Sequence, residues 1–515
     1  MPFNTTTAWP WVAFAILVLL AYAHQRRRKY ARLPPGPTAL PIVGNLLDFP
    51  RKHLGREFAA MSRRFGKFLV VYLNVLGQDT IVLGSLKAAR DLLDKRSANY
   101  SDRPTLVMTQ LLGYDWFFPL MNYGPRWRQH RRAVHPLMTP DVIPQYRAFH
   151  LDAARNLLRL ILQKPQDLSS HIKFTFAAMV MGAIYGLEIR EPDDKYYHMI
   201  ERMGDIAEQI VIPGRFPVEA FPGLRYLPSW FPGCGFKKWA EDARRDMLIT
   251  VDALFENSKS VVTTDPSKRT MIQRILEDSA SQGGEELEEM CKELAATIYV
   301  AGADTSNVMM RAFFLAMALY PEVQKKAQLE LDAVVGAERL PDFSDRPSLP
   351  YVTALIKELL RWHPATPMGV PHRILADDEY NGYIVPAGAT VFVNIWDMLR
   401  DPELYPQPEE FIPERFLDSA GNVDVCGRDP ADVAFGFGRR FCPGRHFADS
   451  TLFILCASVL SAFEIGPPLG EDGAPIPVKR EASDQYIVSH PKVYNYTIKP
   501  RSSHIERIIE TTYGQ

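Results

Sequence analysis

Apolar positions recur with the period of a helix along most of this chain, and with the period of a strand in only a few places. The longest helical pattern runs over residues 285–320. It opens on Glu285, Glu286, Glu288 and Glu289, which suit the positive end of a helix dipole. Its middle, residues 294–300, is apolar on every side and is expected to be buried. Other helices are expected at 85–95, with Ser85 as N-cap, and at 125–132, 321–335, 351–363 and 446–463. More are expected within 45–66 and, between proline-rich breaks, through 140–285, with surface loops at 263–266 and 279–284. β-Branched runs at 68–76 and 80–83, parted by Gly77-Gln78-Asp79, predict paired strands. Residues 380–388 and 390–394 predict a small β region turned by Asn381-Gly382, and 486–488 a last strand. The fold class is therefore mainly α with a smaller β-rich region.

Residues 8–23 are almost wholly apolar, and His24-Gln25-Arg26-Arg27-Arg28-Lys29 follows. About 20 apolar residues cross a bilayer, and basic residues stay on the cytosolic side. A cleaved signal peptide carries its charge before the apolar run, not after it. The pattern thus predicts a single N-terminal transmembrane anchor helix over 1–29, with the main body in the cytosol. Leu33-Pro34-Pro35-Gly36-Pro37 then makes a stiff hinge within 30–44, because proline resists helix. No long linker divides 45–500, which reads as one catalytic domain, and 501–515 reads as a polar tail.

Composition narrows the function. The 515 residues carry a net charge of −1, which argues against nucleic acid as partner. The five cysteines, Cys234, Cys291, Cys426, Cys442 and Cys456, are odd in number and contain no C-x-x-C pair. That spacing gives neither a disulfide framework nor a zinc site, and it suits a reducing compartment. No phosphate-binding, zinc-protease or nucleophile-elbow motif is present, and no flavin or nicotinamide fingerprint. Electrons for any redox chemistry must then come from another protein.

Three stretches carry chemistry. Cys442 lies between Gly438 and Gly444, is followed by Pro443, and precedes a helix. Glycines can turn backbone N–H groups towards a sulfur, and a helix N-terminus favours an anion there. Ala301-Gly302-Ala303-Asp304-Thr305-Ser306 places a charge and two hydroxyls in an apolar helix, where an unpaired charge is costly. Residues 100–124 form a long irregular segment with Trp116, Phe117, Phe118, Leu120 and Met121. Such a segment is either a packed Ω-loop or a lid over an apolar pocket.

Phe435, Gly438, Arg440, Cys442 and Gly444 fill every specified position of Phe-x-x-Gly-x-Arg-x-Cys-x-Gly. In this the chain resembles the cytochrome P-450 family, and the whole-chain texture is most similar to its fungal microsomal members. The resemblance implies the cytochrome P-450 fold, haem b (iron protoporphyrin IX) as cofactor and Cys442 as the axial thiolate. It implies that Gly302 opens room for O2, that Thr305 holds a hydrogen-bond network and that Asp304 feeds protons to it. Trp127-x-x-x-Arg131 is similar to the family's propionate-binding helix, and Arg440, His372 and Arg103 resemble further propionate positions. Glu358-x-x-Arg361 with Arg415 resembles a buried structural ion-pair group.

The resemblance further implies an endoplasmic reticulum membrane protein served by an NADPH-dependent cytochrome reductase. The basic run of Arg126, Arg128 and Arg132 is then either a docking patch for that reductase or a solvated face. The function expected is O2-dependent hydroxylation of an apolar small molecule, such as a terpenoid, an aromatic compound or a xenobiotic. A haem-thiolate isomerase or peroxygenase is the rival closest in chemistry, and a non-enzymatic haem protein the more distant one. Retention of the Asp304–Thr305 pair speaks against the first, and an apolar lid and access region against the second.

Overall fold

The computed structural model describes residues 32–65, 70–212, 214–261, 269–278, 284–483 and 487–512. The expected anchor and its basic block lie outside the described residues, as do most of the two loops at 263–266 and 279–284. Among the described residues no helix is long and apolar enough to cross a membrane. The principal helices are α1 Leu54–Phe65, α2 Pro125–Val134, α3 Arg147–Gln163, α4 Leu168–Tyr185 and α5 Lys195–Ile210. They continue with α6 Phe236–Ser260, α7 Glu285–Leu319, α8 Pro321–Val334, α9 Pro350–Trp362 and α10 Arg445–Ala462.

Helix α7 is the axis of the fold. It packs against α2, α4, α5, α6, α8, α9 and α10. Its residues 294–297, 306–310 and 312–318 are buried, as a largely apolar sequence requires. Between the first two of these, residues 301–305 emerge from the core although the helix runs on unbroken. Helix α4 is apolar on almost every side and lies along α7, with its end at Gly186 in the left-handed region (φ 71).

The β part is small. Strands β1 Val70–Val75, β2 Gln78–Leu83, β3 His372–Arg373 and β4 Thr390–Val393 form one sheet in the order β1-β2-β4-β3. β1 and β2 pair antiparallel as expected, whereas β4 joins β2 in parallel, a long-range pairing with no local signature. A separate hairpin, Asp378–Tyr380 with Tyr383–Val385, turns through Asn381 (φ 52) and Gly382 (φ 82), the geometry that Asn-Gly favours.

Two expectations near the C-terminus are corrected. Residues 487–488 form a bend, and the short strand lies instead at His490–Pro491, paired with Ala482–Ser483. The segment read as a polar tail contains a helix, Ser503–Thr512, whose Ile505 and Ile509 are buried against α3. Those isoleucines are four apart, enough to give even a polar helix one apolar stripe.

A buried ionic group ties α9 to the segment before the cysteine loop. Arg361 donates from Nε and Nη2 to the two oxygens of Glu358, at 2.7 and 2.8 Å, and all of Glu358 and Arg361 is buried. Arg415 approaches the same carboxylate at 3.2 Å, and the Ile412 N–H donates to it at 2.8 Å. Arg361 also donates to the carbonyls of Leu399, Pro408 and Glu410. Every strong donor and acceptor is satisfied, which is the condition for tolerating charge in a core.

Candidate functional site

The cysteine loop is held by its own backbone and by a neighbouring π-helical turn. Cys442 N–H donates to Phe435 O at 2.8 Å, which closes the loop on itself. Gly438 has φ 59, and a Cβ there would lie 2.0 Å from Leu93 O. Only glycine fits that approach. Its N–H donates to Asp94 Oδ1 at 2.6 Å, so the π-helical turn Arg90–Asp94 braces the loop from outside. Positive φ occurs at Gly436 and Gly438; Gly444, at φ −80, is in an ordinary conformation. Its glycine is instead close to the sulfur, where a Cβ would stand 3.8 Å from Cys442 Sγ.

The cysteines differ sharply. Cys234, Cys291 and Cys456 are buried, and burial pushes the Cys291 thiol up to about 12. Burial raises Cys442 too, but the Gly444 N–H and the charges of Arg131 and Arg445 all act in the opposite direction. Among the described residues no group of three or more His, Cys, Asp or Glu could hold a metal. A porphyrin brings four nitrogens of its own, so one thiolate is a sufficient protein ligand for haem iron.

Helix α2 brings its predicted residues to this loop. Arg131 donates to Phe441 O at 3.0 Å and lies 4.4 Å over the Phe441 ring. Arg440 stacks 4.5 Å over the Trp127 ring and donates to Ser101 O and Met121 O at 2.8 and 2.7 Å. Burial lowers the Arg440 guanidinium to about 9, against the pull of Asp102. The Trp127 ring stacks on Phe118 at 5.5 Å. Trp116, Phe117, Phe118 and Met121 are all buried, so much of the 100–124 segment is packed into the core.

Arg103 and His372 are placed deeper. Arg103 is buried and donates to the carbonyls of Pro119, Val370 and Pro371, which tie three segments together. Burial holds His372 well below the usual imidazole range, and its Nδ1 donates to Tyr100 O at 2.7 Å. A neutral ring bonded that way presents Nε2 as an acceptor, so donation to a carboxylate from His372 requires a second proton on the ring.

The partly exposed stretch of α7 contains Gly302, Asp304 and Thr305. A Cβ on Gly302 would meet nothing within 4 Å. Thr305 Oγ1 donates to Ala301 O at 2.8 Å, a bond back along its own helix. Asp304 is not buried as its apolar surroundings suggested. Its side chain is 43% exposed and faces His490 Nε2 at 3.3 Å. No sequence pattern marks His490, which reaches the site only through the fold.

A haem fits these residues. Trp127 Nε1 is buried with no hydrogen-bond partner, beside the cations Arg131 and Arg440, where a propionate would supply the acceptor. Trp127→Phe keeps the stacking and removes only the N–H. It is expected to leave Tm nearly unchanged and to weaken haem retention roughly tenfold or more, as loss of a charge-assisted hydrogen bond does. Transfer of haem to apomyoglobin measures it.

Comparison with known proteins agrees with this geometry. The family model for Cytochrome P450 matches residues 34–497. The chain is 38% identical to cytochrome P450 monooxygenase COX1 of Coprinopsis cinerea, over 91% of each chain. It is 38% identical to cytochrome P450 monooxygenase COX2 of the same fungus, over 99% of this chain and 96% of that one. It is 36% identical to the tryptamine 4-monooxygenase of Psilocybe cyanescens, over 96% of this chain and 98% of that one. With a braced cysteine loop, an unpartnered indole N–H beside two arginines and matches of this length, the chain belongs to the cytochrome P450 family of haem b monooxygenases.

Proposed function

We infer that this monooxygenase hydroxylates an apolar small molecule, with Cys442 as the thiolate on haem iron and electrons from an NADPH-dependent reductase. Haem bound through a thiolate supplies O2 activation. Trp127, Arg131 and Arg440 hold the propionate side, and Gly302 leaves space on the face that α7 presents. Thr305 carries a hydroxyl that can leave Ala301 O to hold a proton-bearing network, and Asp304 supplies protons to it. The observation that carries this reading is the stretch 301–305, only partly buried in a helix whose residues 294–297 and 306–310 are buried.

An apolar substrate, terpenoid or aromatic, is proposed from the family resemblance, since the aromatic side chains of the 100–124 segment are packed into the core. One relative is named for tryptamine, so aromatic amines belong among the compounds tried. For the reductase, Arg128 and Arg132 are exposed, whereas Arg126 is paired with Asp115 and Glu293 and Arg439 is bonded to Tyr123. We place the protein on the endoplasmic reticulum membrane through residues 8–23, with the catalytic domain in the cytosol.

The test incubates reductase-coupled membranes with NADPH, labelled O2 and a panel of terpenoids, polycyclic aromatics, fatty chains and aromatic amines. One labelled oxygen atom in a product supports the reading; turnover with peroxide alone and none with O2 overturns it. Thr305→Ala is expected to keep NADPH consumption while the product formed per NADPH falls about tenfold or more, since positioned proton delivery is worth roughly 10²–10⁴-fold. Product and peroxide measured together check this.

A further inference from the structure

The site described so far leaves one contact without a role. Asp304 and Thr305 are neighbours on α7, yet their side chains diverge: Thr305 Oγ1 bonds to Ala301 O, while the Asp304 carboxylate turns to His490. We propose that His490 is a positioning residue for Asp304, holding its carboxylate between proton transfers. The inference rests on the proton role given above to Asp304.

The backbone beside His490 is fixed from three directions. Ser489 N–H donates to Ala365 O at 2.8 Å. His363 Nε2 meets Ser489 O at 2.8 Å, and burial lowers His363 to about 4, so near neutral pH it is the uncharged ring that donates there. His490 itself pairs with Ser483, and Pro491 with Ala482. A side chain on so constrained a support has little freedom in where it meets α7.

The contact is weak in a useful way. At 3.3 Å it is longer than the 2.7–2.9 Å or so typical of charge-assisted hydrogen bonds. The Asp304 and His490 side chains are 43% and 23% exposed, so water competes for both. A carboxylate held this loosely can be released, and one left unheld would have no preferred direction. One acidic group of α5, Glu208, lies within electrostatic reach of the imidazole. Burial raises the Glu208 carboxyl, which His490 lowers and Asp304 raises further. Glu201, paired with Lys173 of α4, lies near Asp205 and Asp304, while Arg311 and Tyr299 face Asp304 from α7 itself. His490 is the ring that Glu208 shares with Asp304.

The test uses haem-loaded enzyme with reductase and a substrate found as above. His490→Leu is expected to retain the spectrum of the reduced CO complex and to lower product per NADPH about tenfold, with a larger solvent isotope effect on product formation. His490→Gln, which keeps a donor near the same place, should recover most of the coupling. In reduced, CO-bound protein with nitrogen-labelled histidine, the His490 signal, identified by its absence in His490→Gln, should move in Asp304→Asn. Unchanged coupling in His490→Leu, or a His490 signal indifferent to Asp304→Asn, overturns the proposal. If Asp304→Asn itself leaves coupling intact, the proton role of Asp304 fails instead.

Discussion

Cys442→Ser is expected to give a folded protein that can no longer show the red-shifted Soret band when reduced and treated with CO, and that forms product only at background. The hydroxyl differs little in size from the thiol, and the loop does not depend on it. The 2.8 Å bond from residue 442 N–H to Phe435 O, the brace of Asp94 on Gly438 and the contact of Arg131 with Phe441 O all come from other atoms. Stability should therefore change by only about 1 kcal/mol. The electronic effect is large, because a neutral oxygen replaces the anionic sulfur that favours O–O cleavage. Tm and haem content, measured with the CO spectrum, separate the two effects.

Glu358→Ala is expected to be the most damaging substitution outside the cysteine loop. It leaves the wholly buried Arg361 without its ionic partner and removes the acceptor for Arg415 and for Ile412 N–H. Breaking one side of a buried pair costs about 3–5 kcal/mol. The expected result is a Tm lower on the order of 10 °C, or failure to accumulate folded haem protein. The carbonyls of Leu399, Pro408 and Glu410, all held by Arg361, should then lose order together. A calorimetric scan beside hydrogen exchange over 399–415 checks both.

Much of the site was legible because its chemistry is local. The cysteine loop places Phe435, Gly438, Arg440 and Cys442 within eight positions; the close approach of Leu93 O explains Gly438 and the carbonyls of Ser101 and Met121 explain Arg440, while Phe435 and Cys442 meet through backbone. Gly444 was read as a special backbone position, but its φ of −80 suits any residue, and a Cβ there would make only an ordinary 3.8 Å contact with Cys442 Sγ. Helix α7 was readable from period and polarity, and it runs unbroken through Gly302. Where Asp304 points was not, since its partner arrives from a strand near the far end of the chain. The parallel pairing of Gln78–Leu83 with Thr390–Val393 was hidden for the same reason. The helix Ser503–Thr512 escaped because two buried isoleucines do not stand out among polar neighbours.

X-ray absorption at the iron edge of the haem-loaded protein tests the central claim most directly. The account predicts a sulfur neighbour at bonding distance from iron in the native chain, absent in Cys442→Ser. An iron surrounded by nitrogen and oxygen alone, or a sulfur that persists in the variant, would contradict it.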